Sequence, residues 1–240
     1  MMSGGKQPGS GSGILLNNLF AFYSLEEASG ARADSHTGGY TLTDNNTVTQ
    51  AAGVVGNAAS FAAATLEYLS RADEAALRFG DVNFCMAGWV YMADKAATRV
   101  FASKLGAAGT LEWEVFYNLG ADRYRFLVSG DGTANTTISA VSHGSPAAAA
   151  WTFIYAEHNA DANTIGISIN DGPLDTAAHT TGIFGGAAPF VLGATGVPNL
   201  YHNGNLDQWG FWKGRVLAPS SRTWLYNGGS GRSYAALAAY

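Results

Sequence analysis

The sequence predicts an all-β chain folded as a jelly-roll sandwich of two antiparallel sheets, with one short helix near the C-terminus. Three observations carry that prediction. Short apolar stretches recur from Ile14 onward, separated by Gly, Asn, Asp and Pro. Several of them alternate apolar and polar residues with period two, the mark of a strand that buries one face. Helical periodicity is nearly absent, and many short strands without helices pack as a sandwich or jelly roll.

The strands are expected in the following order. Residues 19–25 and 67–70 come first, and 83–91 follows as a run that is apolar on both faces, as a central strand between two layers would be. Next come residues 98–105 and 111–117, where Leu111, Trp113, Val115 and Tyr117 oppose Glu112 and Glu114. In 123–129, Tyr124, Phe126 and Val128 oppose Arg123, Arg125 and Leu127. Residues 136–141 and 151–158 lead to 164–170, where Ile165, Ile167 and Ile169 share one face. Residues 190–193 and 207–213 complete the set. Turn signals separate these runs: Gly130-Asp131-Gly132, Asn170-Asp171-Gly172-Pro173 and Asn203-Gly204-Asn205. Residues 73–79 suit one or two helical turns, and Pro219-Ser220-Ser221 opens a short helix through Trp224 and Tyr226. The organisation that follows is a Gly/Ser-rich arm at 1–13, a jelly roll at 14–226 and a tail at 227–240.

Composition narrows the function. The formal net charge is −5, and the 13 Lys and Arg residues are scattered, so no nucleic-acid footprint is expected. No apolar run approaches the ~18 residues of a membrane-spanning helix. The single Cys85 excludes an intramolecular disulfide and a cysteine-based zinc site. Residues 1–13 lack the apolar core of a signal peptide. The chain is therefore expected to act where it is made, or to leave the cell as part of something larger.

Four stretches, in order, resemble the concanavalin A-like, laminin-G-like jelly-roll family of lectins, glycosidase appendages and phage virion proteins. They are Phe22-Tyr23-Ser24-Leu25-Glu26-Glu27-Ala28-Ser29-Gly30 with Ala33-Asp34-Ser35, then Gly53-Val54-Val55-Gly56-Asn57-Ala58-Ala59-Ser60-Phe61. Phe84-Cys85-Met86-Ala87-Gly88-Trp89-Val90-Tyr91 is the third, and Gly204-Asn205-Leu206-Asp207-Gln208-Trp209-Gly210-Phe211-Trp212 the fourth. The resemblance spans about residues 19–226. The segment Leu225-Tyr226-Asn227-Gly228-Gly229-Ser230-Gly231 looks most like versions from tailed-phage structural proteins.

Several residues could carry chemistry. The resemblance implies comparison with jelly-roll glucanases, which set closely spaced carboxylates on one strand for retaining hydrolysis. Only Glu112 and Glu114 approach that pattern, without a third carboxylate, and a solvated strand face explains them; no enzyme activity is expected. His36, His143, His158, His179 and His202 read as surface or loop residues, and Cys85 as a small buried hydrophobe. Family members often hold calcium at a sandwich edge, which the resemblance would assign to Asp34 and Asp207. The same two carboxylates also suit an Asx-turn at Asp34 and a backbone-binding role at Asp207. For a sugar platform, strand alternation puts Trp209 and Phe211 on one face and Trp212 on the other, and core packing accounts for most of this set. Tyr201 and His202 are loop candidates of similar weight.

The expected function is a non-enzymatic viral (phage) structural protein, a lectin-like jelly roll on the capsid or tail surface of the virion. Its partners would be other virion proteins and further copies of itself, with the Gly/Ser arm lying across a neighbour. The alternative is a glycan-binding module adhering to host surface polysaccharide.

Overall fold

The computed structural model describes residues 14–240; the Gly/Ser arm lies outside the described residues. In chain order the strands are β1 (Leu19–Tyr23), β2 (Thr43–Asn45), β3 (Thr49–Ala52), β4 (Asn57–Phe61), β5 (Tyr68–Arg71), β6 (Phe84–Met92), β7 (Arg99–Leu105) and β8 (Leu111–Asn118). They continue as β9 (Arg123–Ser129), β10 (Asn135–Ser139), β11 (Trp151–Asn159), β12 (Thr164–Ile169), β13 (Asp175–Ala178), β14 (Phe190–Leu192) and β15 (Gly204–Lys213). Two short helices follow, α1 (Pro219–Tyr226) and α2 (Tyr234–Leu237).

The strands form two antiparallel sheets. The eight-stranded sheet runs β13-β12-β11-β6-β15-β4-β3, with β1 pairing beside β4 on the second half of β15. The seven-stranded sheet runs β10-β9-β8-β7-β14-β5-β2. This is the antiparallel sandwich that the alternation predicts, and the jelly roll that the resemblance implies. All the strands expected from the sequence are present, shifted by a few residues at most. Four more, β2, β3, β4 and β13, are three to five residues long with sequences such as TDN and TQAA. They lack the β-branched alternation that marks a strand locally, and are held by the neighbours they pair with.

Two apolar layers result. The main core fills the space between the sheets, where Trp113, Trp209, Phe190 and Phe211 interlock. A second layer lies on the outer face of the eight-stranded sheet, where Cys85, Trp89, Phe153 and Trp212 pack beneath α1, α2 and the Ile14–Leu16 turn. The 227–240 tail is thus packed against the sandwich, with Leu237 fully buried.

Register sets where function can sit. β6, β8, β10 and β14 end, and β5, β7, β9, β11 and β15 begin, at the same end of the sandwich. Six loops therefore meet there, at residues 46–48, 62–67, 93–98, 119–122, 140–150 and 193–203, and the tight β12–β13 turn at 170–174 lies beside them.

The signature stretches have structural explanations. Oδ2 of Asp207 accepts the Val54 and Val55 amides at 2.7 and 2.9 Å. A Cβ on Gly53 would stand 2.6 Å from that oxygen, so only glycine lets the turn close on it. Glu26 accepts the Asn57 amide, two residues on, at 2.7 Å.

Candidate functional site

The six-loop end carries a polar node between two aromatic pairs. Asp94, just past β6, accepts Arg99 Nη2 and the Ala96 amide on Oδ1, both at 2.9 Å, and Asn203 Nδ2 at 2.6 Å on Oδ2. These donors hold its carboxyl down at about 2. Arg99 also donates to the Tyr201 carbonyl at 3.1 Å, tying the 193–203 loop to the start of β7. Beside this node, Lys95 Nζ donates to Asp122 and Ser145, each at 2.8 Å, and the Tyr117 hydroxyl donates to Asp122.

On the seven-stranded side, the Tyr68 and Tyr201 rings lie 6.1 Å apart at 52°. On the eight-stranded side, Tyr91 and Trp151 lie 5.7 Å apart at 56°. All four rings are half-buried. Leu66, Leu119 and Leu200 add exposed apolar surface to the same end. Six non-glycine residues in these loops, Asn46, Thr47, Leu66, Asp122, Ala149 and Leu200, hold left-handed backbone. Such conformations are costly for Leu and for β-branched Thr, and they cluster at functional sites.

Two other half-buried aromatic groups lie against cations. Phe20 and Tyr40 stack on each other at 4.4 Å, with Lys213 over Phe20 and Arg71 over Tyr40. Trp224 is covered by Tyr240 and by the Arg232 guanidinium at 4.7 Å. Trp209, Phe211 and Trp212 are all fully buried; the outward-facing Trp212 lies under the C-terminal layer and donates to the Leu15 carbonyl at 2.8 Å.

Two expectations need correction. Glu112 and Glu114 are not on a solvated face, being 0% and 3% exposed. Glu112 pairs with buried Lys104 at 2.8 Å and accepts the Phe79 amide at 2.9 Å. Glu114 lies beside Ser103, and burial pushes its carboxyl up to about 8. Glu112 is closed in by the Phe79 segment and by Lys104, whose ammonium is anchored on Asp73 and the Gly186 carbonyl. On the side of Glu114, residues 194–200 double back along β7: the Gly196 amide reaches Leu105 O and the Val100 amide reaches Leu200 O, at 2.9 and 3.0 Å. Val191, Ser103 and Val100, outward-facing on that sheet, are fully buried as a result.

Of the five histidines, His143 is exposed and His36 half-buried in its loop, as expected, and the other three differ. His158, His179 and His202 are buried, and His202 packs against Phe61 and Phe101 with its imidazole pushed down to about 4 by burial. Of the adjacent loop candidates, Tyr201 therefore reaches the surface and His202 does not. Cys85 is buried, its thiol pushed up to about 12.

Asp34 and Asp207 sit in separate hydrogen-bond clusters. Asp34 accepts three amides, from Phe22, His36 and Tyr40, at 2.9–3.2 Å. Asp207 keeps Oδ1 unpartnered, but burial raises its carboxyl to about 7. Calcium wants six to eight oxygens. Among the described residues no three His, Cys, Asp or Glu side chains gather to hold a metal ion.

A family model described as the concanavalin A-like lectin/glucanases superfamily matches residues 67–220. The chain belongs to this superfamily. No curated protein matches its sequence significantly. Among solved structures, it is similar to the binding domain of Paraclostridial Mosquitocidal Protein 1 (TM-score 0.70, 14% identity, 90% of this chain and 53% of that one). It is similar to domain 4 of AbnA, an extracellular GH43 arabinanase from Geobacillus stearothermophilus, in complex with arabinotriose (0.63, 17%, 90% and 98%). A third is the botulinum neurotoxin serotype D ligand-binding domain in complex with N-acetylneuraminic acid (0.62, 10%, 88% and 51%). This superfamily member thus spans about half the length of the toxin domains and nearly all of the arabinanase domain. At such identities the likeness establishes the fold.

Proposed function

We propose that this chain is a non-catalytic glycan-binding module whose site is the six-loop end. The observation that carries the reading is the Asp94–Arg99–Asn203 node set between the Tyr68–Tyr201 and Tyr91–Trp151 pairs. Ring faces suit the apolar faces of sugars, and the node offers fixed donors and acceptors for hydroxyls. The sugars bound by the arabinanase and toxin neighbours support the same reading. Burial of Glu112 and Glu114 supports a role without hydrolysis, since neither carboxylate meets solvent. Tyr201→Ala should weaken glycan binding by about 3–10-fold, the worth of one aromatic contact, with the melting temperature little changed. Titration calorimetry against glycans selected on an array checks this; unaltered affinity would move the site elsewhere.

A second reading concerns where the module is mounted. The likeness of residues 225–231 to tailed-phage proteins and the Gly/Ser composition of 1–13 favour a virion surface, with capsid or tail proteins and further copies as partners. A chain beginning at Ile14 should then melt within a couple of degrees of full length yet lose incorporation into particles. Wild-type occupancy of the truncated chain would remove the support that the arm lends.

A further inference from the structure

We propose that the six-loop end selects neutral oligosaccharides and discriminates against sialylated and uronic-acid glycans; this deepens the glycan-binding reading and rests on it. The argument is the order in which an incoming ligand meets charge. Arg99 and Lys95 are each neutralised by a carboxylate, and in both pairs the carboxylate is the outer member. The Arg99 side chain is 11% exposed against 38% for Asp94, and Lys95 is 28% exposed against 42% for Asp122.

Arg99 is also spent inward. Nη2 holds Asp94, Nη1 holds the Tyr201 carbonyl, and Nε is buried. Lys95 is spent on Asp122 and Ser145. Arg123 donates to the Asp122 carbonyl at 2.7 Å, Arg125 to Ser139 at 2.8 Å, and buried Arg32 to the Val48 and Thr49 carbonyls. Glu67 is buried on the Ala62 amide and the Thr65 hydroxyl, Asp44 accepts the Val48 amide, and Asp175 accepts the Ser142 amide and hydroxyl. Every cation named here is already engaged, and Asp94, Asp122 and Asp175 stand outward, so this end presents carboxylates rather than free cations to an anion. A ligand carboxylate would face Asp94 and Asp122 before any cation, or would have to break an existing ion pair. Sugar hydroxyls, by contrast, can donate to the outward carboxylate oxygens while a ring packs on Tyr201 or Tyr68. Arginine and lysine partners hold both carboxyls well below the usual range, so this charge order persists across ordinary pH.

The test uses the full 240-residue chain, titrated with neutral arabino-, xylo-, gluco- and galacto-oligosaccharides and with 3′-sialyllactose and oligogalacturonate. At least one neutral series should bind, with an affinity changing less than about twofold between about 50 and about 500 mM NaCl, and the acidic glycans should bind at least about tenfold more weakly. Asp94→Asn should weaken neutral binding and admit acidic glycans in a salt-sensitive manner; because that change could disturb the loops, Asp122→Asn and the melting temperature of both variants are measured alongside. Salt-sensitive preference of the wild type for an acidic glycan would overturn the inference and leave the glycan reading standing. So would preference for an amino sugar, whose ammonium would pair with the outer carboxylates. Failure of every glycan to bind would overturn the glycan reading first. Neutral binding indifferent to Asp94→Asn, Asp122→Asn and Tyr201→Ala would overturn the assignment to this end.

Discussion

Glu114 illustrates how one residue can report on a whole face of a sheet. Its strand position points it outward, but it is buried beside Ser103 with Oε2 unpartnered, and desolvation raises its carboxyl to about 8. An unfolded chain ionises this group near 4.5, so between about 4.5 and 8 the native state binds the extra proton. Stability contributed by the neutral native carboxyl is therefore full at acid pH and is lost as pH rises through that window. Glu114→Gln cannot ionise. Its stability relative to wild type should rise from pH 5 to pH 9 by on the order of a few kcal/mol. Urea unfolding at the two pH values measures the difference; parallel pH profiles for variant and wild type would show that Glu114 is solvated in the native state.

At the scale of elements, the 194–200 segment decides what the seven-stranded sheet presents to solvent. It is organised around the Thr195 hydroxyl, which donates to the Val197 carbonyl and accepts the Asn199 amide at 3.1 Å. Two rungs then dock it on β7, from Gly196 to Leu105 and from Val100 to Leu200. Thr195→Val keeps the shape and removes both side-chain hydrogen bonds, which should cost about 1–2 kcal/mol. The Gly196 and Val100 amides should exchange faster while those between β8 and β9 keep their protection. Hydrogen exchange resolved by NMR distinguishes this from uniform destabilisation, which would mean that the segment and the sheet open together.

The whole molecule is a sandwich with a third, partial layer. Tyr234 packs against Phe22 at 5.4 Å and its hydroxyl meets His36 Nδ1 at 3.0 Å, while Leu237 is fully buried with Leu15 and Trp212. Gly231 passes so close to Trp89 that a Cβ there would sit 3.0 Å from its Nε1. A chain ending at Tyr226 would uncover this layer. Exposing Leu237's site and the rings beneath it should cost several kcal/mol at about 25 cal/mol per Å² of apolar surface, and lower the melting temperature by more than about 5 °C. Calorimetric scanning with a hydrophobic dye checks both effects. A truncated chain that melts with full length and binds no dye would make residues 227–240 dispensable to the fold.

Strand positions were legible in the sequence because alternation is local: Tyr124, Phe126 and Val128 turn inward by the geometry of a pleated strand, whatever lies around them. The inertness of Cys85 followed in the same way from a strand apolar on both faces. Alternation says which side of its own sheet a residue faces, and no more. What covers an outer face comes from distant chain: Glu114 is closed over by residues some eighty positions later, and Trp212 by helices that follow it and a turn that precedes it. The candidate site has the same character. Tyr201 could be singled out in its loop, but Tyr68, Tyr91 and Trp151 sit on three different strands, and only the register that ends or begins those strands together brings them to one end. The sequence by itself determined the alternating strands, their inward faces and the superfamily, but not the short strands β2, β3, β4 and β13. Tertiary structure alone decided which outward residues meet solvent and which loops share an end, because both depend on contacts between segments far apart in the chain.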